Sequence, residues 1–233
     1  PIPAHCYGLL DIETRICHPV CTEMEERGMC VDVGLLREIC AAMQNALVHV
    51  AIELQRRWHV SGNEFNPASP DQVAYVLWDF WGLRPPPWVL SNGRIKPKFV
   101  RKKDGLCSTG DDILEYLVEK GKPHAIDIQY LLEYRRLTKL LGTYVEPLLI
   151  FACADPDNRV HSSFWPVGAR TGRFSSSDPN LETIPRAHTM PEVRIPSGVN
   201  SSAPIGVVMQ QHHKTKAPLW RIRGLRDVFV APS

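Results

Sequence analysis

Two long segments with a helical repeat of apolar residues constrain the fold of this chain more than any other feature. The first follows Asp32, a residue type that caps helices, and the second runs from about His124 to Phe151. In both, apolar residues recur at three- and four-residue steps, which places them on one helical face. They are Leu35, Leu36, Ile39, Met43, Leu47, Val50, Leu54 and Trp58 in the first segment, and Ile128, Leu131, Leu132, Leu137, Leu141, Val145 and Leu148 in the second. The pattern predicts two long helices that form an antiparallel pair.

The residues between these helices predict a short helix, a loop and a third helix. Ser69-Pro70-Asp71-Gln72 has the pattern of a capping box with Pro at the first helical position, and Gly82 ends the helix that it opens. The following Arg84-Pro85-Pro86-Pro87 excludes a helix. Ser108 or Thr109 is expected to cap the next one. The helical pair should therefore carry a non-helical tip.

Charge is distributed unevenly along the chain. The overall net charge is +2, but residues 1–80 carry −6 and residues 81–233 carry +8. The densest basic stretch has no acidic residue and contains Arg84, Arg94, Lys96, Lys98, Arg101, Lys102 and Lys103. Such a stretch is either a solvated loop or a contact for the phosphates of nucleic acid, where neutralised charges release counterions. No apolar run approaches the roughly 18 residues of a membrane-spanning helix, so no membrane partner is expected.

The pattern changes at Asp155-Pro156-Asp157-Asn158, which is a turn signal. Beyond it, residues 159–164 and 169–174 are β-like, residues 175–180 are rich in turn formers, and the last residues from Val228 resemble a truncated strand. Residues 187–220 show no period, which is typical of a long inserted loop. We therefore expect an α+β fold, with a helical region at 1–152 and the first antiparallel strands of a second region at 153–233. Both ends are expected to be cuts through a longer protein.

Two patterns of metal-ligand residues are weak. The seven cysteines form no C-x-x-C pair, and Cys17 and Cys21 lack the second ligand pair that tetrahedral zinc requires. Free thiols in a reducing compartment are the expected state. Asp11-Ile12-Glu13 has the D-x-E pattern with which proofreading exonucleases hold two metals, but no apolar strand precedes it. A nuclease remains an alternative.

The most specific pattern lies at residues 170–186, which read R-T-G-R-F-S-S-S-D-P-N-L-E-T-I-P-R. This run closely resembles the T-G-R-[LF]-S-S-x-D-P-N-L-x-x-I-P signature of family A DNA polymerases, those related to bacterial DNA polymerase I. Further matches follow the order of the family along nearly the whole chain. They lie at residues 24–28 with Asp32, at 65–72, at Ser108-Thr109, at 134–140 with Thr143-Tyr144, and at 161–164.

The resemblance implies a thumb made of two long antiparallel helices with a basic tip, followed by the start of a palm. Ser108 and Thr109 would then bind phosphate, and Arg135 and Lys139 would contact the DNA backbone. Arg173 would enter the minor groove at the primer terminus, where every base pair offers a hydrogen-bond acceptor. The remaining residues for which the resemblance implies DNA contacts are Lys102, Lys103, Thr143, Asn180 and Arg186, with Asn180 at the nascent pair or its sugar.

The implied activity is template-directed DNA synthesis on a primer–template, with deoxynucleoside triphosphates as substrates and two Mg²⁺ ions as cofactors. In the family, the metal-binding carboxylates lie beyond the strand that matches Val228-Phe229-Val230. The resemblance therefore implies no catalytic or metal-binding residue in this chain, and the chain alone should be inactive. A non-catalytic module that only grips duplex DNA stays open as an alternative.

One departure from the family pattern lies within its signature and a second lies after it. Glu182-Thr183 replaces the usual Gln-Asn, which places an acid beside phosphates. The long insertion after Ile184-Pro185-Arg186 resembles the theta and nu subgroup of the family, whereas Leu137-Thr138-Lys139-Leu140 resembles bacterial or organellar members. That subgroup implies an intracellular protein, with the nucleus favoured and a mitochondrion or other organelle as the alternative.

Overall fold

Helices dominate the computed structural model, which describes residues 7–58, 65–91, 94–96, 99–100, 105, 107–121, 123–166, 168, 171, 173–185, 207–211, 218–222 and 225–230. The chain divides into two units, and each is described by itself. The terminal unit comprises residues 1–43 and 139–233, and the central unit comprises residues 44–138. The functional boundary expected near residue 152 stays a prediction.

The terminal unit begins with a helical stretch built from α1 (Tyr7–Ile12), a π-helical turn (Glu13–Cys17) and α2 (His18–Arg27). Gly28 ends it with a positive φ of 61°. A Cβ at Gly28 would lie only 2.7 Å from Cε1 of His161. Glycine is therefore required here both by backbone conformation and by the approach of another side chain.

Helix α3 (Val33–Arg57) begins as the sequence predicts. The Leu35 N–H donates to Asp32 Oδ1 at 2.9 Å, which satisfies one of the free donors of the first turn. Its predicted apolar face is buried at Leu36, Ile39, Met43, Val50 and Leu54. The helix starts in the terminal unit and ends in the central unit.

The second long helix is also as expected. Helix α6 (Ala125–Leu140), a π-helical turn (Leu141–Val145) and α7 (Glu146–Ala154) follow one another without a break. The apolar positions predicted for it are buried, among them Ile128, Leu131, Leu137, Val145 and Leu148.

In the central unit, α4 (Pro70–Ala74) is capped by Ser69, whose Oγ accepts the Gln72 N–H at 3.4 Å. The reciprocal half of a capping box does not form, because Gln72 Oε1 accepts the Asn66 N–H at 2.6 Å instead. A π-helical turn (Tyr75–Phe80) continues the helix to Gly82. The short pair β2 (Leu90–Ser91) and β3 (Arg94–Ile95) precedes α5 (Asp111–Glu119).

Aromatic rings join the ends of α3 and α6 within the central unit. The ring of Trp58, which is 1% exposed, lies 4.7 Å from that of Phe65 and 4.6 Å from that of Trp81. Trp81 in turn stacks on the imidazole of His124 at 3.9 Å. Burial opposes ionisation of Glu53, but hydrogen bonds from Arg57 and Arg56 lower its pKa below the ordinary value.

Short antiparallel strand pairs complete the terminal unit, so the predicted α+β class is confirmed. Strand β1 (Met29–Cys30) pairs with β4 (Arg159–Val160), and β5 (Ser163–Trp165) pairs with β6 (Ser175–Ser177). Strand β7 (Val207–Gln211) pairs with β8 (Pro218–Ile222). Phe229 forms a single bridge with Val31.

Several local expectations were wrong. The cap of α5 is Gly110 and not Ser108 or Thr109, and no side chain bonds at that position. The described residues of 169–174 belong to no strand, whereas the segment expected to turn contains β6. Segment 187–220, which was expected to be a loop, contains β7 and the start of β8. Val228, where a strand was expected to begin, ends a 3₁₀ helix (Leu225–Val228), and Phe229 forms only a single bridge.

The D-x-E pattern does not lie on a strand. Asp11 is in α1 and Glu13 opens the π-helical turn, and Asp11 pairs with Arg15 at 2.6 Å. Helical geometry directs these two carboxylates differently from a strand, which removes the basis of the nuclease alternative.

Two helical stretches, Val33–Arg57 and Ala125–Ala154, have the length and apolar composition of a membrane span, which the sequence reading did not expect. Core helices of soluble proteins meet the same criterion, so two such helices are weak evidence for a membrane span. Both stretches carry the buried apolar faces described above.

Candidate nucleic-acid interface

In the central unit, Ser108 and Thr109 follow a buried anchor. Cys107 is 1% exposed and packs with Val89 and Ile113, and its carbonyl oxygen accepts the Trp78 indole N–H at 2.7 Å. Burial raises the pKa of the Cys107 thiol to about 11. The sequence patterns predicted Ser108 and Thr109 as contacts but not this anchor.

Arg135 holds the same segment. Its Nη1 donates to the Thr109 carbonyl oxygen at 2.5 Å and to Asp111 Oδ1 at 3.2 Å, and its Nη2 donates to Thr109 Oγ1 at 3.3 Å. Thr109 is consequently 7% exposed, while Ser108 is half-buried. The guanidinium fork of Arg135 thus fixes the loop that precedes α5 and shares its charge with Asp111.

Lys139 and Thr143 are exposed in the terminal unit. Lys139 lies one helical turn after Arg135 on the same helix, so the two share a face. Thr143 lies in the π-helical turn that follows. Among the described residues none forms an ion pair with Lys139.

Three of the predicted contact residues, Lys102, Lys103 and Arg186, lie outside the described residues. Within the basic stretch, the described Arg84 and Arg94 are exposed, and Lys96 Nζ donates to the Trp88 carbonyl oxygen at 2.7 Å. One cation of the basic stretch is therefore engaged within the chain.

Arg173 lies in the segment between β5 and β6, two residues before β6 begins. It is exposed, and within the described part of the chain no residue hydrogen-bonds to it or neutralises it. Phe174, its neighbour, is 45% exposed. A solvated guanidinium of this kind offers several donors to an external acceptor.

Asn180 lies at the other end of β6, in a loop held by its own side chain. Asn180 Oδ1 accepts the backbone N–H of Glu182 at 3.1 Å and that of Thr183 at 3.2 Å. Ser176, which is 4% exposed, also bonds to this oxygen at 3.4 Å. The residue is nevertheless exposed, as is the acidic Glu182.

Strands β5 and β6 are held in place by hydrogen bonds between residues that are far apart in the sequence. Phe164 N–H donates to Glu25 Oε1 at 2.5 Å, and His161 Nδ1 lies 2.6 Å from the Glu25 carbonyl oxygen. Ser162, 2% exposed, donates to the carbonyl oxygens of Ser177 and Pro179. Sequence reasoning missed Glu25 and the serines as supporting residues, although all lie in motifs that it singled out.

The turn that leads into β4 depends on Asp155. The backbone N–H of Arg159 and then that of Asp157 donate to Asp155 Oδ1, and these bonds lower the pKa of its carboxyl. His161 Nε2 lies 3.5 Å from Asp155 Oδ2.

Comparisons with known proteins agree on one family. The family model described as DNA polymerase family A matches residues 37–204. A DNA polymerase I of Caldicellulosiruptor bescii is 32% identical over 180 residues, which are 77% of this chain and 19% of that protein. The thermostable DNA polymerase I of Thermus aquaticus is 35% identical over 198 residues, 78% of this chain and 21% of that protein.

A solved structure is also similar. The POL domain of Pol1 from M. smegmatis, in complex with DNA primer-template and dNTP, matches with a TM-score of 0.54 at 27% identity. The match covers 81% of this chain and 29% of that chain. The present chain therefore spans about one fifth of the length of the curated relatives above.

These comparisons correct the expected location. The relatives include DNA polymerases I of Caldicellulosiruptor bescii, Bacillus subtilis, Thermus aquaticus and Pseudomonas aeruginosa, all bacteria. Because bacteria have no nucleus, the expected preference for the nucleus is wrong. It rested on the theta and nu subgroup, which stays a prediction.

Proposed function

Because the chain belongs to DNA polymerase family A, we propose that it is the part of a template-directed DNA polymerase that holds the primer–template duplex. One structural observation supports this most directly. Arg173 lies two residues before β6 and Asn180 three residues after it, and both are exposed. Donors offered in this way suit the acceptors that every base pair carries in the minor groove.

In this proposal the remaining residues supply contacts to the phosphate backbone. Ser108 and Thr109 bind a phosphate from the loop that Arg135 holds, so Arg135 contributes both charge and support. Lys139 and Thr143 act from the helix surface. Lys102, Lys103 and Arg186 complete the proposed set.

The reaction of the whole enzyme is proposed to be nucleotidyl transfer from a deoxynucleoside triphosphate to the primer 3′ end. Within the described residues, no three His, Cys, Asp or Glu side chains come together as metal ligands. The donor set of this part of the chain therefore does not fit the two Mg²⁺ ions that the family resemblance implies. We assign no metal-dependent step to it, and expect the chain alone to hold DNA without extending a primer.

Binding of the 233-residue chain to a fluorescent primer–template tests the proposal. Arg173→Ala should weaken binding by about three- to tenfold, because one solvent-accessible hydrogen bond with a net contribution of about 1 kcal/mol is lost. Arg15→Ala is the matched control, since Arg15 is also in the terminal unit, is exposed, and lies in the helical turn after α1. It should leave affinity unchanged.

Two outcomes would contradict the proposal. One is the absence of saturable binding by the unaltered chain at low salt. The other is an equal effect of the Arg173 and Arg15 substitutions, which would show that only net charge matters. Incorporation of nucleotide by the chain alone, measured with a radiolabelled triphosphate, would contradict the assignment of catalysis to other parts of the enzyme.

A further inference from the structure

The hydrogen bonds of Asn180 fix the orientation of its side-chain amide. Two backbone N–H groups, those of Glu182 and Thr183, donate to one atom of this amide, and only its oxygen can accept them. A flipped amide would bring its NH₂ group against two donors. Two of the bonds that orient the amide thus come from the backbone.

Ser176 supplies the third bond to the same oxygen. Its Oγ accepts the Leu181 N–H at 3.1 Å, and its own proton is then available for Asn180 Oδ1 at 3.4 Å. Because Ser176 is 4% exposed, water does not readily replace it in this role. The carbonyl of the amide is therefore fully used inside the loop.

The opposite edge of the amide carries only donors. Asn180 is exposed, and in the part of the chain described here no residue accepts a hydrogen bond from its Nδ2. Whatever binds at this position consequently has to present an acceptor. In a duplex, purine N3 and pyrimidine O2 are acceptors at every base pair of the minor groove.

We propose that Ser176 is a positioning residue that locks Asn180 as a donor, so that Asn180 contacts a base acceptor in the minor groove whatever the sequence. The proposal rests on the proposed function, because it requires a bound primer–template. It adds that the loop discriminates between donor and acceptor atoms, which a plain phosphate contact would not do.

A second buried serine gives a matched control. Ser162 is 2% exposed and bonds to the carbonyl oxygens of Ser177 and Pro179 at 3.0 and 2.6 Å. It therefore supports the same loop without bonding to Asn180. Ser162→Ala should disturb the loop about as much as Ser176→Ala while leaving the amide oriented.

The experiment measures binding of the 233-residue chain to primer–templates in which 3-deazapurine replaces a purine at each of the last few base pairs in turn. This substitution exchanges the N3 acceptor for a C–H group. The unaltered chain should lose about three- to tenfold in affinity at one position. Asn180→Asp keeps the acceptor that the loop needs and removes both donors, so its affinity should be the same for both DNAs.

The comparison between the two DNAs separates the hydrogen bond from charge. The negative charge introduced by Asn180→Asp weakens binding to native and 3-deaza DNA alike, whereas the lost donor affects native DNA only. Ser176→Ala should reduce the 3-deaza effect to about half or less, Ser176→Thr should restore it, and Ser162→Ala should retain it. Thermal unfolding of each variant reports any general loss of structure.

The results overturn the proposal in identifiable ways. If the unaltered chain binds DNA but no 3-deazapurine substitution lowers its affinity, Asn180 contacts a sugar or phosphate oxygen and the proposal fails. If Ser176→Ala and Ser162→Ala reduce the effect equally, Ser176 has only a structural role. If the unaltered chain binds no primer–template, the proposed function itself has failed.

Discussion

The acidic side chain of Glu182 is exposed two residues after Asn180. Its backbone N–H donates to Asn180 Oδ1, and the family resemblance places its side chain beside the phosphates of a bound duplex. Glu182→Gln should strengthen binding to primer–template about two- to threefold at low salt, since it removes a repulsion without changing the backbone bond. The gain should shrink towards zero near 0.5 M salt because exposed charges are screened.

The control for this substitution is Glu26→Gln, which makes the same change of charge at an exposed position of α2. It should alter affinity much less. A fluorescence anisotropy titration at several salt concentrations measures both. Equal gains would mean that only total charge matters, and a loss of affinity for Glu182→Gln would mean that the acid itself takes part in binding.

At the level of elements, the turn between α7 and β4 should make stability depend on pH. Hydrogen bonds from the N–H groups of Arg159 and Asp157 lower the pKa of Asp155 in the folded state. A lowered folded pKa stabilises the fold above the ordinary Asp pKa of about 3.9 and loses that contribution as the pH falls through the folded value. Asp155→Asn should therefore lower the urea midpoint at pH 7, and the difference should vanish in acid.

Asp157→Asn is the matched control, because Asp157 lies in the same turn, is exposed, and accepts none of these bonds. Its urea midpoint should follow that of the unaltered chain at every pH from 7 to 3. A constant difference between Asp155→Asn and the unaltered chain across that range would show that ionisation of Asp155 does not contribute.

Helices and strands of this chain differ in how well their own residues predict them. The cap at Asp32 and the Ser69-Pro70 helix start could be predicted because the signals lie within a few residues of the bonds they make. Strand β6 could not be predicted in this way, because Ser175-Ser176-Ser177 has neither high β propensity nor an alternation of apolar and polar residues. It is extended because it pairs with β5, which in turn is held by Glu25, 139 positions before Phe164.

The candidate site shows the same limit. Motif resemblance identified Thr109 and Arg135 separately, but not that Arg135 uses its donors on Thr109 and Asp111. It identified Asn180, but not that its oxygen is engaged within the loop. Such pairings depend on the tertiary fold, in which residues far apart in the sequence become neighbours. The nuclear location was wrong for a different reason, since it rested on the subgroup resemblance alone.

For the whole molecule, the division of charge predicts how binding responds to salt. Residues 81–233 carry the excess of positive charge, and Lys102 and Lys103 belong to its densest stretch. Each phosphate contact that is lost should reduce the slope of log affinity against log salt by up to about 0.9. The double substitution Lys102→Ala with Lys103→Ala should therefore reduce the slope by up to about 1.8, and should do so equally for DNAs of different sequence.

The matched control removes two exposed cations of the central unit that lie outside the basic stretch, by Arg56→Ala with Lys120→Ala. Both double variants change the net charge equally, so a general field effect would reduce both slopes alike. Contact with phosphates would reduce only the first. Because counterion release is independent of base identity, the 3-deazapurine effect expected for Asn180 should persist in the Lys102 and Lys103 variant. If the Lys102 and Lys103 variant loses the 3-deazapurine effect as well as part of the salt slope, the basic stretch also fixes the register of the duplex.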